Sequence, residues 1–213
     1  MPNQPKTDYY KQFSYDSKRR FISYWHQIQE TASVQPKRVL EIGVGRGFVK
    51  EYLIKRNINV ITLDIDPGLN PSVVGDLAQG TPFQNQSFDV VMACEVLEHM
   101  PYSQIPNVLK EISRIARYAV ISIPNNTPWY KIDANLPIIG RIKFFYERHV
   151  TVNRNFSEDK RGHYWEIGVN NIMLEDIKSE IIKHFKILKS YRVPEHPAHH
   201  FFLLKSAMED SKN

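Results

Sequence analysis

Two clusters in this 213-residue chain have residue types and spacing suited to chemistry. The first, Glu41-Ile42-Gly43-Val44-Gly45-Arg46-Gly47, follows a short β-branched run and opens a helical pattern, where glycines let backbone amides approach a ligand. Its spacing departs from the dinucleotide loop G-x-G-x-x-G, because Phe48 stands where the third glycine should fall and Gly47 comes one residue early. No G-K-[ST] follows, which excludes a Walker-type phosphate loop. Asp64 ends the next apolar run about twenty residues on, where a carboxylate can accept both hydroxyls of a ribose. The second cluster is Glu95-Val96-Leu97-Glu98-His99. If a helical turn begins at Glu95, positions 95, 98 and 99 share one face, and two carboxylates with an imidazole could move a proton or hold a divalent ion.

The elements that must position these clusters alternate along the chain. Phe21, Trp25 and Ile28 recur at helical spacing from Asp16 to about Thr31, behind possible caps at Ser14 and Asp16. Strands are expected at Arg38 to Gly43, Asn59 to Asp64, Val73-Val74, Phe88 to Cys94 and Ala119 to Ile123. Helices are expected between them at Phe48 to Arg56 and Ser103 to Arg117. Such alternation implies a parallel, doubly wound sheet. Residues 125 to 170 are aromatic but have no single clean period, and read as an insertion. A helix from about Leu174 to His184 then precedes two strands, Phe185 to Val193 and His200 to Lys205, whose short join favours an antiparallel hairpin.

Composition narrows the class. With 42% hydrophobic and 24% charged residues the chain is globular in make-up, and no apolar run approaches the ~18 residues of a bilayer span. The proline-broken start Met1-Pro2-Asn3-Gln4-Pro5-Lys6 lacks the apolar stretch of a secretory signal, and Cys94 is the only cysteine, so the expected location is cytoplasmic. The net charge of +5 would suit an anionic partner, but residues 125–170 hold only seven Lys and Arg against five Asp and Glu, which disfavours a nucleic-acid substrate.

An acidic residue two positions before G-x-G-x-G, followed by Asp64, by Gly75-Asp76-Leu77 and by Ser87-Phe88-Asp89-Val90-Val91-Met92-Ala93-Cys94-Glu95-Val96-Leu97-Glu98-His99-Met100, resembles the class I S-adenosylmethionine-dependent methyltransferases, in the ubiquinone-biosynthesis-like group. The resemblance covers about residues 37 to 124 strongly and 171 to 206 weakly. It implies an α/β fold: one Rossmann-like doubly wound domain over 1–213, with seven strands, mostly parallel, the last antiparallel. Around its core (37–124) it implies an N-terminal helical lid (1–36), an insertion after strand 5 that recognises substrate (125–170), and a C-terminal helix and hairpin (171–206). It further implies S-adenosylmethionine as cofactor. Glu41 would take the ammonium end, Gly43, Gly45 and Gly47 would admit the methionine part, Asp64 would bind the ribose, Ile65, Asp76 and Leu77 would line the adenine side, and the Cys94 backbone would also belong to the cofactor site. Asp89 reads as structural, and the Cys94 thiol as a small buried hydrophobe.

The acceptor is expected to be an oxygen of a small molecule. The (D/N/S)PP(Y/F) signature of nucleobase and glutamine N-methyltransferases is replaced here by Cys94-Glu95-Val96-Leu97. Glu98, His99 and His163 are the candidate catalytic groups, first as pocket-shaping residues, then as a general base, and last as part of a metal site. No residue is assigned as a metal ligand, although E-x-x-E-H with Gly162-His163-Tyr164-Trp165-Glu166 loosely resembles metal-dependent small-RNA 2′-O-methyltransferases. That reading and a non-catalytic module are the two rivals. Neither a membrane nor a nucleic acid is expected as partner. Tyr9, Tyr10, Phe13 and Tyr15 resemble a closing lid, and Asp133, Arg141, Lys143, Arg148 and Arg154 could read an acidic substrate. His196, His199 and His200 read as ordinary loop polarity, though with His99, His149 and His163 they could lie on the active-site side.

Overall fold

The computed structural model describes residues 10, 12–148, 150–154, 156 and 161–208. Tyr9 and His149 lie outside the described residues. Strands β1 (Arg38–Ile42), β2 (Asn59–Asp64), β3 (Val73–Val74), β4 (Phe88–Cys94) and β5 (Ala116–Pro124) run parallel. Two more, β8 (Phe185–Arg192) and β9 (His199–Ser206), complete a seven-stranded sheet of order β3-β2-β1-β4-β5-β9-β8. β9 is antiparallel to both of its neighbours, which is the geometry a short join requires. The order reverses at β1, so the loops after β1 and β4 open side by side at the carboxyl edge, where ligands of such sheets bind.

Helices cover both faces. Helix α3 (Ile105–Ile115) buries Ile105, Val108, Leu109, Ile112 and Ile115 on one face, with α4 (Leu174–Ile181) beside it. Leu53 of α2 (Phe48–Lys55) packs on the other face with Val39, Val60 and Met92. Helix α1 (Lys18–Ser33) corrects the expectation for its orientation. Ser17 caps it, and Phe21 and Trp25 are exposed while Ser23, Tyr24, Gln27, Glu30 and Thr31 face inward. Partners explain the polar inner face: Gln27 bonds Ser23, and Glu30 accepts from Lys189 and Tyr191. Asp89 is structural as expected, since its Oδ2 accepts from the amides of Lys37 and Arg38 ahead of β1.

β5 begins three residues earlier than its pattern suggests, because Ala116 already pairs with Phe88 as α3 ends. The larger difference lies in residues 125–170. Trp129–Leu136 (β6) and Gly140–Glu147 (β7) form a separate antiparallel hairpin, so a period of two was present within the aromatic stretch. Arg141 is spent on Asp133 within this hairpin, at 2.8 Å, rather than held for a substrate. Buried Arg192 fastens the hairpin's base to the sheet, donating to Thr127 Oγ1 (2.7 Å), Glu147 Oε1 (2.9 Å) and the Asn125 carbonyl (2.9 Å).

Candidate active site

A cleft of about 280 Å³ opens at the carboxyl edge of the sheet. Of the residues singled out for a cofactor, Gly43, Gly45, Asp64, Ile65, Asp76, Leu77 and Cys94 line it, as do Glu98, His99 and His163. Glu41 and Gly47 do not. Gly47 caps α2 with φ +73°, one step behind the lining residues, and Glu41 is buried beneath the loop.

Local chemistry explains the glycine loop. Gly43 has φ +79°, and a Cβ there would stand 2.6 Å from Val96 Cγ2, so the crossing of the two loops requires glycine. A Cβ on Gly45 would lie 3.4 Å from the Tyr15 hydroxyl, which places the segment before α1 against the cleft floor. Tyr10 and Tyr15 meet edge to face at the rim, whereas Phe13 projects into solvent. Asp64 is held by two amides: Oδ2 accepts from Val44 (2.8 Å) and Oδ1 from Asp66 (2.9 Å), leaving the remaining lone pairs for the cleft. Burial raises its carboxyl above the ordinary value, opposed by those amides. Asp76 similarly accepts from the Ala78 amide.

These residues fit S-adenosylmethionine. The Asp64 carboxylate, with open lone pairs, would suit a ribose, Gly43 and Gly45 leave room for the methionine end, and buried Leu77 with half-buried Ile65 offers apolar contact for a base. Glu41 lies behind the cleft lining, and its Oε2 has no hydrogen-bond partner among the described residues. Burial pushes the Glu41 carboxyl up to about 8, against the pull of Lys50. The folded protein therefore keeps a proton there that the unfolded chain releases above about pH 4.5, and stability falls as pH rises towards 8. Measured by thermal or denaturant unfolding, the stability of the wild type relative to Glu41→Gln should drop by up to about 1.4 kcal/mol per pH unit between about pH 5.5 and 7.5. Equal pH slopes for the two proteins would refute a buried, protonated Glu41.

The second cluster is assembled differently from a helical face. Glu95 adopts a left-handed conformation, φ +57°, ahead of a single 3₁₀ turn, Leu97–His99. Its carboxylate turns aside to accept from Ser122 Oγ (2.9 Å) and to pair with His199 Nε2 (3.2 Å). Burial raises the Glu95 carboxyl to about 7, and lowers His199 to about 3, so the pair shares charge reluctantly. The group that converges is Glu98, His99 and His163, with ligand atoms all within 4.8 Å of one another. Glu98 is fully buried, and neither carboxylate oxygen has a hydrogen-bond partner among the described residues. Burial first, then the negative charge of Glu95, push its carboxyl well above the usual range. His99 Nδ1 faces the Gly162 carbonyl at 3.2 Å and His163 Nδ1 faces Glu166 Oε1 at 2.5 Å. A carbonyl can only accept, so His99 carries its proton on Nδ1, and a carboxylate partner favours the same for His163. The Nε2 of His163 then lies 3.9 Å from Glu98 Oε1.

Glu166 is the group that sequence reasoning left without a role. Its buried carboxylate accepts from Arg161 (2.7 Å), Arg154 (3.0 Å), Asn126 and His163, a hub that aims the His163 ring. The i, i+3 spacing of His163 and Glu166 was the available signal, since a carboxylate behind an imidazole is a recurrent orienting device. Arg20, Glu95, Asn126, Arg161 and His199 also line the cleft. Of the loop histidines, only His199 does so. His200 lies within β9 and bonds Ser190, and His196 borders a neighbouring cavity.

The family described as "Methyltransferase domain" matches residues 40–119, the span from β1 to β5 that builds this cleft. Among curated relatives, the ubiquinone biosynthesis O-methyltransferase of Hahella chejuensis is 31% identical over 42% of this chain and 43% of its own length. A probable phthiotriol/phenolphthiotriol dimycocerosates methyltransferase of Mycobacterium ulcerans is 32% identical over 46% of this chain and 43% of its own. The chain thus spans less than half the length of these two relatives in alignment. Similar solved folds include the PH0226 protein of Pyrococcus horikoshii (TM-score 0.61, 14% identity, 95% of this chain and 100% of that one). The N-methyltransferase NodS of Bradyrhizobium japonicum, solved with S-adenosyl-L-homocysteine, has TM-score 0.59 at 12% identity over 90% of this chain and 89% of its own. Residues 40–119 thus match the methyltransferase-domain family, and the fold as a whole is similar to that of a methyltransferase solved with S-adenosyl-L-homocysteine.

Proposed function

We propose that this protein methylates an oxygen of a small molecule, with His163 as the group that takes the acceptor's proton. The observation that carries this reading is the buried Glu166–His163 pair, at 2.5 Å, with the ring's Nε2 turned to the Glu98 and His99 side of the cleft. When bound, S-adenosylmethionine supplies an electrophilic methyl group on a sulfonium. The chain's own residues do the rest. Asp64 and the glycine loop hold the cofactor's ribose and methionine ends, with Asp76 and Leu77 beside the base. Tyr10 and Tyr15 close the rim and exclude water, and fixing the reactants in line can lower a barrier by roughly 7–11 kcal/mol. An imidazole backed by a carboxylate accepts a hydroxyl proton as the oxygen becomes nucleophilic. A small-molecule acceptor is in keeping with the names of the Hahella and mycobacterial relatives.

A second reading of the same cluster is favoured by the two oxygens of Glu98, which have no hydrogen-bond partner among the described residues. Glu98, His99 and His163 together could hold a divalent ion, and a set of two imidazoles and one carboxylate suits zinc, manganese or iron better than magnesium. One experiment separates the readings: transfer of labelled methyl from S-adenosylmethionine into a panel of phenolic, catecholic and lipid hydroxyl acceptors and RNA, before and after EDTA, with metal content measured on the purified protein. EDTA-resistant labelling of a hydroxyl compound supports the base. Stoichiometric metal that is absent from Glu98→Gln supports the ion, and label appearing only in RNA or at nitrogen overturns the proposed acceptor.

A further inference from the structure

One face of the β6–β7 hairpin is uniformly apolar or aromatic, and the other is mainly charged but also holds Trp129 and Phe145. The register places Tyr130 opposite Tyr146, Ile132 opposite Phe144 and Ala134 opposite Ile142, all on one face that also holds Leu136. The reverse face carries Lys131, Asp133, Asn135, Arg141 and Lys143. Such a face in a folded chain is ordinarily turned inward, yet here its large residues are exposed, Tyr130 by 59% and Phe144 by 53%. The turn extends the apolar surface beyond the strands, with Ile138 98% and Ile139 72% exposed. Along the arm the chemistry is graded. The hydroxyl-bearing rings Tyr130 and Tyr146 stack near the base, and the face becomes aliphatic through Ile142 and Leu136 to the two isoleucines at the tip.

We infer that this hairpin is a peripheral docking arm for an anionic lipid bilayer. The grading matches the interface of a membrane, where tyrosines sit at the headgroups and aliphatic side chains enter the acyl region by about 5–10 Å. The charge is complementary as well. With Arg141 paired to Asp133 and Glu147 to Arg192, Lys131 and Lys143 on the hairpin and Arg148 at its end carry the positive charge of the arm, and the whole chain carries +5. Long basic side chains behind an inserted apolar face reach back to lipid phosphates. A second copy of the chain would bring the same positive charge to the contact, and stacking two flat faces would leave the protruding isoleucines uncovered. No described helix is long and apolar enough to cross a membrane, so the contact is one of surface docking. Through Arg192, Thr127 and Asn125 the arm is fixed to the strand that ends at Pro124 on the cleft rim. Resting on the methyl-transfer reading, docking would bring the cleft to an acceptor carried in the bilayer.

The test is co-sedimentation of the full chain with phosphatidylcholine vesicles containing none or about a third phosphatidylglycerol, read without any turnover. Binding to the anionic vesicles is expected, weakened about tenfold or more by 0.5 M salt, by Ile138→Asp with Ile139→Asp, and by Lys131→Glu with Lys143→Glu. Affinity for S-adenosylhomocysteine should be unchanged in the tip variant, whose side chains are 98% and 72% exposed and do not line the cleft, so a misfolded variant would be recognised. Absence of vesicle binding, or equal binding by the tip variant, overturns the inference. Dimerisation that the tip substitutions abolish, without vesicle binding, overturns it in favour of a second copy. Since the readout is lipid binding, its failure leaves methyl transfer standing, and failure of the methyl-transfer screen leaves the docking arm standing.

Discussion

Asp64→Ala is expected to weaken binding of S-adenosylhomocysteine by about two orders of magnitude, measured by titration calorimetry. The carboxylate already accepts the amides of Val44 and Asp66, at 2.8 and 2.9 Å, which fixes it at the end of β2 with its other lone pairs open to the cleft. Two charge-assisted hydrogen bonds to ribose hydroxyls contribute roughly 1.5–3 kcal/mol each, and 3 kcal/mol corresponds to about 150-fold in affinity. The substitution also frees two backbone amides, so the melting temperature should be followed in parallel. Asp64→Asn keeps one acceptor oxygen and should lose less affinity than Asp64→Ala. Unchanged affinity in both variants would remove Asp64 from the ribose site.

His163→Ala should lower kcat by about 10² to 10³ while leaving S-adenosylhomocysteine affinity within about threefold, because its proposed role begins only when the acceptor's proton moves. Glu166→Gln should have a smaller effect in the same direction. It retains an acceptor for His163 Nδ1 but removes the charge that stabilises the imidazolium, and it leaves Arg154 and Arg161 without their buried partner. A His163→Ala enzyme with full kcat would leave positioning alone to account for catalysis, while parallel losses of affinity and kcat would mark His163 as structural.

That Gly43, Gly45, Asp64 and Asp76 come together at one cleft was legible in the sequence because their grouping is local. Gly43 and Gly45 follow one strand and Asp64 ends the next, and in a parallel sheet consecutive strand ends fall on one edge, so order and spacing suffice. The reading of Glu95, Glu98 and His99 as a helical face failed because a single residue, Glu95, takes a left-handed conformation that no propensity announces. The hairpin escaped notice for another reason. Trp129 and Phe145 put aromatic residues on the polar face as well, which masked the alternation of Tyr130, Ile132 and Leu136. In α1, likewise, the apolar spacing of Phe21 and Trp25 pointed the wrong way, because the inward face is polar, with Gln27 bonded to Ser23 and Glu30 to Lys189 and Tyr191.

By itself, then, the sequence determined the fold class and the alternation of strands and helices from β1 to β5, since both follow from periodicity and from motifs at short separation. Only the tertiary structure decided which imidazole meets Glu98. His163 lies 65 residues further along and is brought there by Tyr164, whose amide bonds the Glu98 carbonyl at 2.7 Å, and by Trp165, whose indole donates to the Met100 carbonyl at 3.0 Å. Contacts at that separation depend on how the segment after β7 packs back across the sheet edge, and no local pattern of residues encodes that path.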